Sequence, residues 1–182
     1  MPLVVLGASS LQLLLGVTFV IVAATGAVWG AGAQRAAEAE MAGQGIPAAV
    51  LARHRINFAA GRASVLVAVS IGLFLTALAA LNLAGSGTGQ LLSWIVQPIV
   101  FVLGCLIIPS EVFLTQGIRS AFNKADDPAL HSVDVDALVD AAVSTQPAWS
   151  RYVIAARFGL ATVGSLLVVI LLTVPAANTY FA

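Results

Sequence analysis

The sequence predicts an all-α, polytopic membrane protein: four transmembrane helices as two hairpins, N-out/C-out, with helical cytoplasmic loops. Three observations carry this expectation. The 182 residues are 60% hydrophobic and only 9% charged, where a soluble domain carries about 25% charged residues. Mean hydropathy is +1.01. Residues 1–34, 63–110 and 158–182 hold no charged side chain at all, and all eight basic residues fall in or at the edge of two loops between those tracts. The whole chain, 1–182, reads as a single four-helix transmembrane domain.

Taken in order, the first tract holds one span, near 6–31. It lacks the basic n-region of a signal peptide and its apolar run is too long for one, so it reads as a retained helix with a translocated N-terminus. The first cytoplasmic loop, 34–62, opens with Ala- and Glu-rich sequence that continues the helix. Gly43, Gln44 and Gly45 break it, and Pro47 suits the first turn of the next helix. The middle tract is long enough for two spans, near 64–83 and 91–114. The glycine-rich run Gly85-Ser-Gly-Thr-Gly89 divides them by a tight turn.

The second cytoplasmic loop, 117–157, is longer and acidic. Ser132 is expected to cap a short helix there, with Asp134 and Asp136 near its N-terminus. Val135, Leu138, Val139, Ala142 and Val143 form one apolar stripe, and Pro147 stops it. An acidic helix is repelled by anionic lipid, so this one is expected to pack under the bundle or against a partner. The last tract holds the fourth span, near 158–177. Barrel strands would be about ten residues of alternating polarity. These runs are uniformly apolar, and a helix satisfies its backbone within one segment. The second and fourth spans echo one another: each opens on an arginine (Arg62, Arg157) and closes on a Leu-Thr…Asn pattern (Leu75 to Asn82, Leu172 to Asn178).

Orientation follows from the basic residues. Arg35, Arg53, Arg55 and Arg62 belong to the first loop, and Arg119, Lys124, Arg151 and Arg157 to the second. The positive-inside rule puts both loops in the cytoplasm and both termini outside. The compartment is then the cell (inner or plasma) membrane. The Ala-, Val- and Gly-rich, lysine-poor composition points to a bacterium of high genomic GC content.

Few side chains invite a chemical role. Glu111 is the one acidic residue near a span, at the depth where Arg62 and Arg157 begin theirs. The three form a candidate polar cluster at the inner membrane interface, either an ion pair joining helix ends or a proton or cation site. Pro98 and Pro109 kink the third span, with Gln97 beside the first. Gly26 with Gly30, and Gly159 with Ala155, are small-xxx-small faces suited to helix packing. Cys105 is the sole cysteine, so no intrachain disulfide forms. His54 and His131 both lie in loops, which leaves no haem ligand at membrane depth beyond Cys105 and Met-poor spans. His131 with Asp126, Asp127, Asp134 and Asp136 matches no metal-loop spacing, and a solvated acidic loop is the expectation. No Ser–His–Asp or Cys–His set is in reach, and no phosphate loop precedes a lysine. A net charge of zero excludes ordinary nucleic-acid binding.

Arg53-His-Arg-Ile-Asn57-Phe58 resembles the membrane-associated eicosanoid and glutathione family, whose members have four helices, the same orientation and a basic stretch at this place. The family pattern is Arg, then Asn four later, then Glu three beyond. Arg53 and Asn57 fit the first two, Ala60 stands at the third, and the second cytoplasmic loop is longer than in that family. The resemblance implies a thiol-dependent conjugating enzyme using Arg53, Arg55 and Asn57, the candidate cytoplasmic-loop binding residues.

The chain is therefore expected to be a small, non-enzymatic accessory or scaffold subunit of a membrane complex. The alternatives are a small transporter or channel with Glu111 in the pathway, and the glutathione-transferase-like enzyme. The expected partners are the lipid bilayer and other membrane subunits or further copies of this chain, with no nucleic acid, no metal and no cofactor.

Overall fold

The computed structural model describes residues 1–107, 112–125 and 128–181. These are helical, with no strand among the described residues. Four helices are long and apolar enough to cross a membrane: α1 (Leu3–Gly43), α3 (Arg62–Leu83), α4 (Gly87–Ile107) and α7 (Ser150–Thr173). Between them lie α2 (Ala49–Arg53), α5 (Leu114–Asn123) and α6 (Val135–Val143), and α8 (Pro175–Phe181) closes the chain.

α1 organises the molecule. Its 41 residues make a rod about 60 Å long, twice the hydrocarbon thickness of a bilayer. The first part packs on α3 and α7, and the last part leaves the bundle and packs on α6. There α2, α5 and α6 gather into a cap. Ala33, Ala37 and Met41 of α1 bury themselves with Leu51, Ile118, Phe122, Leu130, Leu138 and Ala142, all apolar. The stripe expected on α6 is buried at Val135, Leu138, Val139 and Ala142, while Val143 is exposed.

Three helices end in the same way. Gly45, Arg55 and Gly85 take positive φ values of 77°, 57° and 73° just past α1, α2 and α3. In each case the next N–H reaches back five residues: Ile46 to Met41, Ile56 to Leu51, Ser86 to Leu81. This is the Schellman closure, which satisfies carbonyls left over at a helix end. Arg55 does it without glycine's freedom, at a cost of about 1–2 kcal/mol.

The structure corrects several details. Asp134, not Ser132, caps α6: its Oδ1 accepts from Ala137 N at 3.0 Å. Ser132 instead ends the 3₁₀ turn Pro128–Ser132. Gln44 then clamps the same end of α6, accepting from Asp134 N at 2.8 Å and donating to Asp134 O at 3.2 Å. The glycine run is mostly helix. Only Gly85 takes a positive φ; α4 starts at Gly87, and Gly89 lies so close to Asn82 that an added Cβ would be 3.1 Å from its backbone N. α4 is described to Ile107 and α5 starts at Leu114; residues 108–111, in the last part of the expected third span, lie outside the described residues. The last span starts at Ser150 and stops at Thr173. Val174 is extended because Pro175 follows it and opens α8.

Within the bundle, two crossings are set by glycine. A Cβ at Gly16 would lie 2.7 Å from Gly72 O, and one at Gly72 would lie 2.7 Å from Gly16 O, so α1 and α3 touch backbone to backbone. A Cβ at Gly104 would meet Ala161 Cβ at 3.0 Å. Ala161 belongs to a π-helical turn, Leu160–Gly164, within α7.

Candidate functional site

Two polar regions stand out. The first lies at the end of the bundle far from the cap. Gln12 is fully buried in α1 and donates to Ser93 Oγ at 2.9 Å. Asn82 Nδ2 donates to Gln12 Oε1 and to Ser93 Oγ, both at 2.8 Å. Gln90 Nε2 donates to Leu172 O at 2.9 Å and to Asn178 Oδ1 at 2.8 Å. Tyr180 OH closes the cluster by donating to Leu83 O at 2.8 Å. These bonds join α1, α3, α4, α7 and α8 in a medium where an unpaired amide is costly. Deeper along α4, Gln97 is fully buried, and neither of its amide atoms has a hydrogen-bond partner among the described residues. Pro98 follows it inside the helix and leaves the carbonyl of Trp94 without its helical donor.

The second region is a crevice of about 740 Å³ where the bundle meets the cap. This is within the roughly 300–1,000 Å³ range of ligand clefts. α1 supplies Val22, Thr25 and Gly26, and α3 supplies Ser64, Val65 and Ala68. α5 adds Leu114, Thr115 and Ile118, and α7 adds Arg151, Ile154 and Arg157. The linker 54–61 crosses its wall with Arg55, Asn57 and Phe58.

That linker is held by glycines of α1. A Cβ at Gly26 would meet Ala60 Cβ at 3.0 Å, and one at Gly30 would meet Ala60 N at 3.1 Å and Ala59 Cα at 3.2 Å. The small face of α1 thus receives a stretch of chain rather than a helix. Gln34 Oε1 accepts from Phe58 N at 2.9 Å, and Asn57 Oδ1 accepts from Ala59 N at 2.8 Å. Asn57 therefore turns its carbonyl inward to the linker and keeps its amide N–H groups for another acceptor.

No family model matches this chain, and it is similar to no curated protein and no solved structure.

Arg55, Arg151 and Arg157 line the crevice, and no acidic residue does among the described residues. Arg157 is 4% exposed, with its guanidinium 5.2 Å from the centre of the Phe19 ring. Arg151 donates from Nη2 to Tyr152 OH at 2.8 Å and lies 4.8 Å over the same ring.

Of the residues singled out in the sequence, Arg55 and Asn57 share the crevice, while Arg53 is exposed on α2 outside its lining. Arg62 is exposed at the first turn of α3, and Arg157 is buried in α7. Glu111 and Pro109, and with them Asp126 and Asp127, lie outside the described residues. Nothing lies within 4 Å of a Cβ added at Gly159. The glycines at the two tight crossings, Gly16 with Gly72 and Gly104, were not singled out. Neither were Gln12, Asn82, Gln90 and Ser93. A signal for the amides exists: each interrupts an otherwise apolar, charge-free tract, where it must find a partner.

Proposed function

We propose that this chain is a non-enzymatic accessory or scaffold subunit of a membrane complex, with the cap in the cytoplasm and both termini outside. One observation carries this reading: bundle and cap share a single unbroken helix. α1 runs from Leu3 to Gly43, and its last turns are buried in the cap core at Ala33, Ala37 and Met41. A cap built on the same rod as a span holds a fixed height and angle above the bilayer, which is what a docking platform needs. The basic residues on the cap side support the orientation, and large apolar side chains on the bundle's outside suit lipid. Leu106 is 72% exposed and Leu66 67%.

The test is affinity purification in mild detergent with quantitative mass spectrometry, run beside a Leu138→Asp variant that disrupts the cap core. The expected result is one other membrane protein at fixed stoichiometry with the wild type and its loss with the variant. Recovery of the wild-type chain alone, from membranes solubilised under several mild conditions, contradicts the reading. Reporter fusions at Gln44 and Gly87 test the orientation: the first is expected to be cytosolic and the second external.

Gln97 favours a second reading, a small transporter. A fully buried amide with neither atom paired among the described residues, beside a proline in mid-helix, is what a polar pathway would use. Solute or ion flux into liposomes containing only this chain, abolished by Gln97→Leu, would establish it over the first.

A further inference from the structure

We propose that the crevice binds one anionic phospholipid of the cytoplasmic leaflet, its phosphate held between Arg55 and Arg151 and its upper acyl region lying against α1 and α3. The choice of leaflet rests on the orientation proposed above, whereas the chemistry of binding does not.

Four observations converge on this ligand. First, the polar groups at the crevice rim donate. Arg55 and Arg151 are both exposed and carry guanidinium forks suited to phosphate oxygens. The amide N–H groups of Asn57, whose carbonyl is already engaged by Ala59 N, add donors beside them. Second, the charged residues among the described lining are all basic. Third, the remaining wall is apolar, with Val22, Val65, Ala68 and Ile154 among its residues. A free inorganic anion would leave that wall facing water, and an acyl chain covers it. Fourth, the crevice sits at the right height. It reaches α3 at Ser64, Val65 and Ala68, the first turns of a span, where the neighbouring Leu66 and Val67 are strongly exposed. Trp149 and Tyr152, also exposed, stand at the start of α7 as interfacial aromatics do.

Arg55 adds a structural argument. It occupies the position past α2 where Gly45 and Gly85 serve the other two closures, at φ 57°. Glycine would satisfy that backbone better. An arginine stands there at a conformational cost, and its side chain lines the crevice.

The experiment is native mass spectrometry of the purified full chain, delipidated in detergent and offered dioleoyl phosphatidylglycerol or dioleoyl phosphatidylcholine, which share the same tails. A basic residue near an anionic lipid surface changes affinity by about fivefold. The wild type is therefore expected to retain one phosphatidylglycerol with roughly twenty-five-fold preference over phosphatidylcholine. Arg55→Gly and Arg151→Gln should each lower the preference about fivefold, and the pair should nearly abolish it. Arg55→Gly relaxes a strained backbone, so it should melt no lower than the wild type, and loss of binding in that variant is not loss of fold. Ala68→Trp, which places an indole against the apolar wall and leaves both arginines, should lower retention of either lipid there. Equal retention of the two lipids overturns the proposal, as does an unchanged preference in the double variant. Displacement of phosphatidylglycerol by millimolar inorganic phosphate also overturns it, assigning the site to a soluble anion. None of these outcomes bears on the co-purification test of the accessory role.

Discussion

The cap and the bundle turn opposite kinds of surface outward. The cap buries Met41, Leu51, Phe122 and Leu138 and turns Arg35, Arg119 and Asp136 outward. The bundle buries Gln12, Asn82, Ser93 and Gln97 beside Leu15, Leu75 and Leu172, and turns Leu66, Val67, Leu106 and Val163 outward. α1 takes part in both, and the outward surface changes along it without a break in its backbone. Its buried residues are Val5, Ala8, Ser9, Gln12, Leu15 and Gly16 near one end, polar and apolar together, and Ala33, Ala37 and Met41 near the other. What differs is the solvent each end is fitted to. In water, burying apolar surface drives folding at about 25 cal/mol per Å². In lipid that term vanishes between helices, and close backbone contact and hydrogen bonds decide which faces meet. Gly16 against Gly72 supplies the first, and the Gln12–Asn82–Ser93 triangle supplies the second.

Substitutions should separate the two regions by size of effect. The largest is expected in the cap. Leu138→Asp places an unpaired charge in a fully buried site and should cost more than about 4 kcal/mol. Limited proteolysis would then cut the cap first while the spans stay protected; a cap that resists protease as the wild type does would mean its core is not what holds it. Next comes Gly72→Val. Its Cβ would have to enter a space where Gly16 O lies 2.7 Å away. A cost of about 1–3 kcal/mol or more follows from overpacking, read as a lower melting temperature in detergent. The amide triangle is expected to be softer. Asn82→Leu removes two hydrogen bonds at once, and interhelical bonds in membranes contribute about 0.6–2 kcal/mol. If the cost matched that of Leu138→Asp, the polar interior would matter as much as the apolar one. The smallest effect belongs to Arg119→Ala. Its 2.7 Å pair with Asp136 is 53% and 66% exposed, so at most about 0.5 kcal/mol is expected, falling further with salt.

How far these features were legible in the sequence depends on whether their causes are local. The charge-free tracts, the break at Gly43 to Gly45 and the apolar stripe of α6 are local patterns, and the helices follow them. The capping residue of α6 was misplaced because both Ser132 and Asp134 are good caps. Gln44, ninety residues away, holds Asp134 at that position. The crevice was legible only as Arg55 and Asn57. Its walls come from α1, α3, α5 and α7 and depend on the linker passing over Gly26 and Gly30, whose spacing reads equally well as a helix-packing face. The far-end cluster joins residues up to 97 positions apart, which no periodicity reports. An amide in a charge-free tract announces that a partner is needed and says nothing of which one.

Everything above depends on the solvent changing along α1, and a spin-label scan of that helix measures it. With Cys105 replaced by Ser, nitroxides would be placed one at a time at the exposed positions Leu13, Val17, Ala24, Val28, Arg35, Ala39 and Ala42 of the chain in liposomes. Collisions with oxygen, which concentrates in lipid, would be compared with those of a water-soluble nickel chelate. Oxygen should dominate from Leu13 to Val28 and the chelate from Arg35 to Ala42, with one crossover between. A chelate that reaches Leu13 to Val28 as readily as Ala42 would contradict the account, because the apolar outside of the bundle would then be facing water.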